Sequence, residues 1–245
     1  MRRSVLIAVV VAVGVVGIQL PGAAEGEGAG GTITGQVQFV GAPPARTPVK
    51  MSADPTCQQR HAEPALSEDV IVNDNGTLRN VFVYVKEGLT GAFPPATTPV
   101  VIDQKGCLYR PRVVGLQVNQ PLEIRNSDAT LHNVNAKPGA NKPFNVAQPV
   151  QGMKTTKTFS SPEVMVGFKC NVHPWMRAYV GVVAHPFFAV SDDTGAFTIS
   201  GLPAGTYTFE AWHEVYGTQS QAVTVADGQS ATVTFSFSST VSSPG

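Results

Sequence analysis

The strongest constraint on this chain is that no stretch between residues 32 and 240 repeats apolar residues at helical spacing. Short runs of Val, Thr, Phe and Tyr are instead cut at close intervals by Gly, Pro, Asn and Asp. With 24 glycines and 19 prolines in 245 residues, such a chain favours β-structure with frequent turns. The runs predict strands over residues 32–40, 70–72, 80–86, 100–102, 112–118, 122–125, 131–135, 154–159, 164–168 and 179–184, separated by turns such as Asp74-Asn75-Gly76. Many short strands at this spacing point to an all-β sandwich or barrel. One short helical turn is expected at residues 57–61, capped by Asp54 or Thr56.

From residue 185 the pattern tightens into strands at 196–200, 206–212, 219–225 and 231–237. Their turns, Asp193-Thr194-Gly195, Gly201-Leu202-Pro203-Ala204-Gly205 and Ala226-Asp227-Gly228, supply glycine for positive φ and proline for fixed φ. The stretch from Gly201 to Tyr207 resembles the hallmark of carboxypeptidase-regulatory-like domains, which are small immunoglobulin-like sandwiches. That resemblance implies a fold and says little about function. Gly31-Thr32-Ile33-Thr34-Gly35-Gln36-Val37 looks like the first strand of the same kind of module. Strand 31–40 therefore either completes a C-terminal sandwich or opens a larger domain.

Arg2 and Arg3 precede an apolar run at residues 5–18, followed by Pro21-Gly22-Ala23-Ala24, the order of a cleavable secretory leader. The run is shorter than the roughly 20 apolar residues of a membrane span. The expected organisation is a signal peptide at 1–24, a larger domain at 25–184 and a small sandwich at 185–245. The mature chain is expected in the periplasm or secreted, with no transmembrane span. Removing the leader takes two of the 17 Lys and Arg and none of the 17 Asp and Glu, leaving 15 − 17 = −2. A near-neutral chain without basic runs is a poor ligand for nucleic acid.

Chemistry becomes readable at Phe168-Lys169-Cys170-Asn171-Val172-His173-Pro174-Trp175-Met176, where a thiolate, an imidazole and a thioether stand at C-x2-H-x2-M spacing. Copper that cycles between two oxidation states is well served by two imidazoles and a thiolate in a plane, with a weak axial thioether. The segment Asn126-Ser127-Asp128-Ala129-Thr130-Leu131-His132-Asn133 offers the second imidazole. If neighbouring strands bring the two segments together, His132, Cys170 and His173 form the trigonal set and Met176 the axial contact.

At these residues the chain resembles the cupredoxins, the small type 1 blue copper proteins, with a loop spacing nearest that of the amicyanin and plastocyanin-like members. The resemblance covers roughly residues 30–184 and implies a cupredoxin-like Greek-key β-sandwich holding one mononuclear copper. It gives Asn133 the task of holding the copper loop, and Pro174 matches the proline after the second histidine. It also makes the edge of His173 the electron port, ringed by Pro174, Trp175 and apolar neighbours. Residues 41–66 exceed what a minimal member of the family needs.

Cys57 and Cys107 pair most economically as a structural disulfide, closing a loop of about 50 residues worth ~4 kcal/mol in the chain-entropy model. The alternative is a second metal site from Cys57, His61 and Cys107. His61, His185 and His213 are scattered rather than paired, which argues against a catalytic copper.

The functional expectation is an exported electron carrier, not an enzyme: four protein ligands leave the metal no open position for substrate. Its partner would be a c-type cytochrome or a periplasmic oxidoreductase, met through a small transient contact. Two alternatives stand beside it: a copper-handling protein that delivers the metal, and an extracellular structural or binding module with a vestigial copper site.

Overall fold

The computed structural model describes residues 30–239, so the expected leader at 1–24 lies outside the described residues. Among the described residues no helix is long and apolar enough to cross a membrane. The chain opens with β1 (Gly31–Val40), a four-residue helix α1 (Pro55–Gln58), β2 (Phe82–Glu87), β3 (Val100–Gln104), β4 (Tyr109–Arg110) and β5 (Val113–Gln117). It continues with β6 (Leu122–Asn126), β7 (His132–Ala136), β8 (Phe144–Gln148), β9 (Lys154–Lys157), β10 (Glu163–Lys169) and β11 (Arg177–Val183). It ends with β12 (Phe188–Val190), β13 (Ala196–Leu202), β14 (Gly205–His213), β15 (Gly217–Val225) and β16 (Ser230–Ser238). The all-β expectation holds.

These strands build two sandwiches. In the first, the sheet β5-β11-β10-β7-β8 faces β4-β3-β6-β9. Their inner faces close over Ile102, Leu116, Leu122, Ile124, Phe159, Phe168 and Val180, all buried in one cluster. The pairs β3–β6 and β5–β11 are parallel, so the chain must cross over between them, as Greek-key connections do. In the second, β13-β1-β16 faces β12-β2-β14-β15. In β16 the buried residues are Val233, Phe235 and Phe237, the period of two that a half-buried strand requires.

The division at residue 184 is corrected by the strand pairing. β1 runs parallel to β16 from Thr32↔Ser230 to Val40↔Ser238 and antiparallel to β13, so it completes the second sandwich. β2 belongs there too, hydrogen-bonded between β12 and β14. The reason lies in its sequence: Val83 and Val85 face the core of the second sandwich, whereas Phe82 and Tyr84 point the other way into a junction cluster with Val113 and Val183 of the first. A strand buried on both faces must be central. The first sandwich is therefore inserted into the second, between β2 and β12.

Strands β4, β8 and β12 have no counterpart in the sequence prediction, and residues 70–72 form only an isolated bridge, Val72↔Leu78. The expected helical turn is α1, shifted toward the N-terminus. Asp54 caps it, its side chain accepting from the N–H groups of Thr56 and Cys57, and Pro55 occupies the first turn, where its missing N–H costs nothing.

Candidate metal centre

Two elements at one end of the first sandwich carry the site. β7 begins at His132, and β10 ends at Lys169, one residue before Cys170; β7 and β10 are paired through Lys169↔Asn135, which sets the two segments side by side. The loop between β10 and β11 closes on itself, with the Cys170 N–H donating to Met176 O at 3.2 Å and the Met176 N–H donating to His173 O at 2.9 Å. Asn133 does what the resemblance implied, since its Oδ1 accepts the Asn171 N–H at 2.5 Å. Its amide also donates to Asn145 Oδ1 at 2.5 Å, tying β8 into the support.

The result brings His132, Cys170 and His173 together, all buried, with one ligand atom from each within 4.8 Å of the others. His132 Nδ1 lies 3.0 Å from His173 Nδ1, and Cys170 Sγ lies 3.8 Å from His173 Nδ1. Met176, fully buried, packs in the same apolar cluster as Cys170.

The outer nitrogens of both rings meet carboxylates that sequence reading missed. His132 Nε2 is 3.0 Å from Asp128 Oδ2, and His173 Nε2 is 2.9 Å from Asp54 Oδ2. Hydrogen bonding with His173 holds Asp54 down to about 2. Asp128 stays below the usual carboxylate range against the opposing effect of burial, because His132 and the N–H groups of Cys107 and Gly106 bond to it. An ionised carboxylate only accepts, so each Nε2 carries a hydrogen, while the two Nδ1 atoms face inward, 3.0 Å from one another. Asp128 was visible as the acid four residues before His132. Asp54, 119 positions from His173, gave only a capping signal.

Cys170 is tuned as a thiolate. Burial opposes its ionisation, but hydrogen bonds with His132 and His173 and the N–H groups of Asn133 and His173 outweigh that, bringing the thiol down to about 5. The two backbone donors lie 3.5 and 3.4 Å from Sγ. Two inward-facing imidazole nitrogens and a ready thiolate form a buried soft-to-borderline donor set, which fits copper.

Cys57 and Cys107 form the disulfide, with Cα atoms 5.5 Å apart. Their sulfurs are bonded to one another, so the alternative of a second metal site with His61 fails. His61 Nε2 lies 2.8 Å from Gly106 O. His185 and His213 lie in the second sandwich or beside it, with His185 Nε2 at 2.8 Å from Val85 O.

The edge of His173, which the resemblance makes the electron port, is buried, His173 being 1% exposed. Asp54 and Cys57 cover it, Cys57 Sγ standing 3.5 Å from Nε2. Pro174 and Val172 are exposed, and Trp175 is half-buried, its ring 5.1 Å from that of His173 and its Nε1–H donating to Cys107 O.

The carboxypeptidase regulatory-like domain model matches residues 174–238. No curated protein matches the chain. Among solved structures, the chain is similar to a Cu-containing nitrite reductase (NirK) from Thermus scotoductus SA-01, at 22% identity and a TM-score of 0.33, over 38% of this chain and 24% of that one. It is similar to a purple cupredoxin from Nitrosopumilus maritimus at 20% identity, over 34% of this chain and 97% of that one, with a TM-score of 0.29. It is also similar to a variant of amicyanin holding Cu(I), at 19% identity, over 40% of this chain and 99% of that one, with a TM-score of 0.31. The chain thus spans about a quarter of the nitrite reductase and nearly the whole of each small copper protein.

Proposed function

We propose that this chain is an exported type 1 copper protein that transfers electrons and has no catalytic activity of its own. The observation that carries the reading is the buried set of His132 Nδ1, His173 Nδ1 and Cys170 Sγ, with both outer imidazole nitrogens already committed to carboxylates. His132, Cys170 and His173 would hold the metal and Met176 would be the axial contact. Copper, when bound, supplies a one-electron couple.

The chain's own residues do the rest. Asp128 and Asp54 hold the two rings with Nε2 outward, so that each Nδ1 would face the metal. The Asn133 and His173 N–H groups stabilise charge on Cys170 Sγ in either oxidation state. Val134, Phe168 and Ala178 are buried in the same cluster as Cys170, and Trp175 packs against it beside His173, which keeps water from the set. Four protein donors leave no place for a substrate. The partner would be a c-type cytochrome or a periplasmic oxidoreductase, and the disulfide accords with an oxidising compartment.

One observation favours the copper-handling alternative, the burial of His173, which limits direct contact with a redox partner. The first experiment is the visible and EPR spectrum of the protein with one equivalent of Cu(II), beside Cys170→Ser. An intense thiolate-to-copper band, absent from the variant, is the expected result. Folded protein with reduced Cys170 and no such band would overturn the reading. Rapid loss of Cu(I) to an acceptor with slow electron exchange would favour copper handling.

A further inference from the structure

Residues 41–66 are unexplained by a minimal copper sandwich, and they supply α1 and its cap. That segment places a carboxylate, Asp54, on the outer nitrogen of His173 and a disulfide sulfur beside it. Asp54 is itself held from several sides. Its Oδ1 accepts the Thr56 N–H at 2.8 Å, and Thr130 Oγ1 donates to its Oδ2 at 3.2 Å. Thr130 stands two residues before His132, so one ligand's own segment helps aim the carboxylate at the other ligand.

The disulfide completes the mount. Cys57 lies in α1, and Cys107 follows β3 in the turn that leads to β4. The Cys107 N–H donates to Asp128 Oδ2 at 2.7 Å, the atom that meets His132 Nε2. One covalent link thereby joins the supports of both imidazoles. Asp54 keeps a side-chain exposure of 21% where His173 has 2%, so the carboxylate stands between the imidazole and solvent.

We propose that Asp54, carried by the disulfide-anchored α1 segment, is the positioning residue for His173: it holds Nδ1 inward and seals the outer edge of the ring from solvent and from any redox partner. This rests on the copper reading above. It follows that electrons do not pass by direct contact of a partner with His173 while the cap is in place.

The test separates capping the helix from holding the ring. Asp54→Ser keeps a good helix N-cap but is too short to serve Thr56 and His173 together; Asp54→Asn keeps the size but has one acceptor oxygen where Asp54 offers Oδ1 to Thr56 and Oδ2 to His173, so it serves only one of the two donors. The first readout is solvent exchange of the His173 Nε2–H, followed by NMR of the metal-free protein. The second is the reduction potential of the copper-loaded protein and its rate of oxidation by hexacyanoferrate. Asp54→Ser should speed the proton exchange about tenfold or more, as loss of one charge-assisted hydrogen bond predicts. It should also raise the potential, because an anion on the outer nitrogen favours Cu(II), and quicken the outer-sphere rate. Asp54→Asn, neutral and with a single acceptor oxygen, should speed exchange no more than Asp54→Ser does, while the potential still rises.

The pair Cys57→Ser/Cys107→Ser, which loosens the cap with Asp54 in place, should move exchange and rate in the same direction. Unchanged exchange in Asp54→Ser overturns the proposal. If Asp54→Ser does not fold, unchanged exchange and rate in the cysteine pair overturn it. Absence of the thiolate-to-copper band in wild type would remove the copper reading alone, since the proton exchange is measured without metal.

Discussion

Each histidine in this chain is told what to be by the partner of one nitrogen. At the candidate metal centre an acceptor-only carboxylate fixes a hydrogen on Nε2. His213 carries its hydrogen on Nε2 for a different reason: its Nδ1 accepts the Val215 N–H at 3.1 Å, its ring stacks on Tyr216 with centroids 5.0 Å apart, and it is 2% exposed. Burial, helped by the nearby Arg112 charge, pushes it down to about 4. The sign of the consequence follows by linkage. Above the ordinary histidine value the group is neutral in both states and costs nothing. Between there and pH 4 the unfolded chain takes up a proton that the folded chain refuses, so stability falls as pH falls; below pH 4 both are protonated and the slope ends. The full loss is roughly 3 kcal/mol. Urea unfolding midpoints measured from pH 7 to pH 4 should drop more steeply for wild type than for His213→Asn, and parallel curves would remove His213 as the cause.

At the scale of elements, α1 is four residues long and could not persist alone. It is held by its Asp54 cap and by Cys57, fully buried in the first core. The disulfide spans 50 residues, so Cys57→Ser/Cys107→Ser should lower the free energy of unfolding by about 4 kcal/mol in the chain-entropy model. Chemical denaturation of the oxidised wild type against the pair measures it, and a difference near zero would mean the segment is held by packing alone. The same element shows what a sequence can and cannot disclose. The gathering of His132, Cys170 and His173 was legible because two of them share one loop, with Met176, at ligand spacing and the third has an Asn-Ser-Asp context. Asp54 was legible only as a cap, because its contact with His173 depends on how a long insert folds back. β8 was missed for a similar reason: Phe144 to Gln148 lies at the edge of its sheet and is mostly half-exposed or exposed, so burial never imposed a clear alternation.

The whole molecule is one sandwich threaded into another, and that topology puts the junction under unusual demand because the chain crosses it twice, leaving β2 and re-entering at β12. Phe82 and Phe188 lie against β5 and β11 there. A Cβ on Gly115 would fall 2.4 Å from the Phe188 ring and one on Gly181 would fall 2.5 Å from the Phe82 ring, so those strands can accept the aromatic rings only where they carry no side chain. Sequence punctuation could place the boundary near residue 184, but only pairing partners reveal that β1 and β2 complete the second sandwich. Across the same junction Arg112, which precedes β5, makes a two-pronged pair with Glu214 in the β14–β15 turn at 2.5 and 2.7 Å, and also reaches Asp69 at 2.5 Å. Both side chains of the Arg112–Glu214 pair are 6% exposed. Burying two charges gains little over an apolar pair, but removing Glu214 leaves the buried Arg112 with Asp69 alone, an exposed partner, at a cost of up to about 3 kcal/mol. Glu214→Gln should therefore destabilise the protein by up to that amount, whereas Arg112→Met/Glu214→Leu, which removes both charges, should lose less than Glu214→Gln does. Guanidinium unfolding of the two variants decides it: a double variant worse than the single one would mean that the pair contributes attraction beyond its own desolvation, and that the two sandwiches are joined by charge rather than by the aromatic contacts of Phe82 and Phe188.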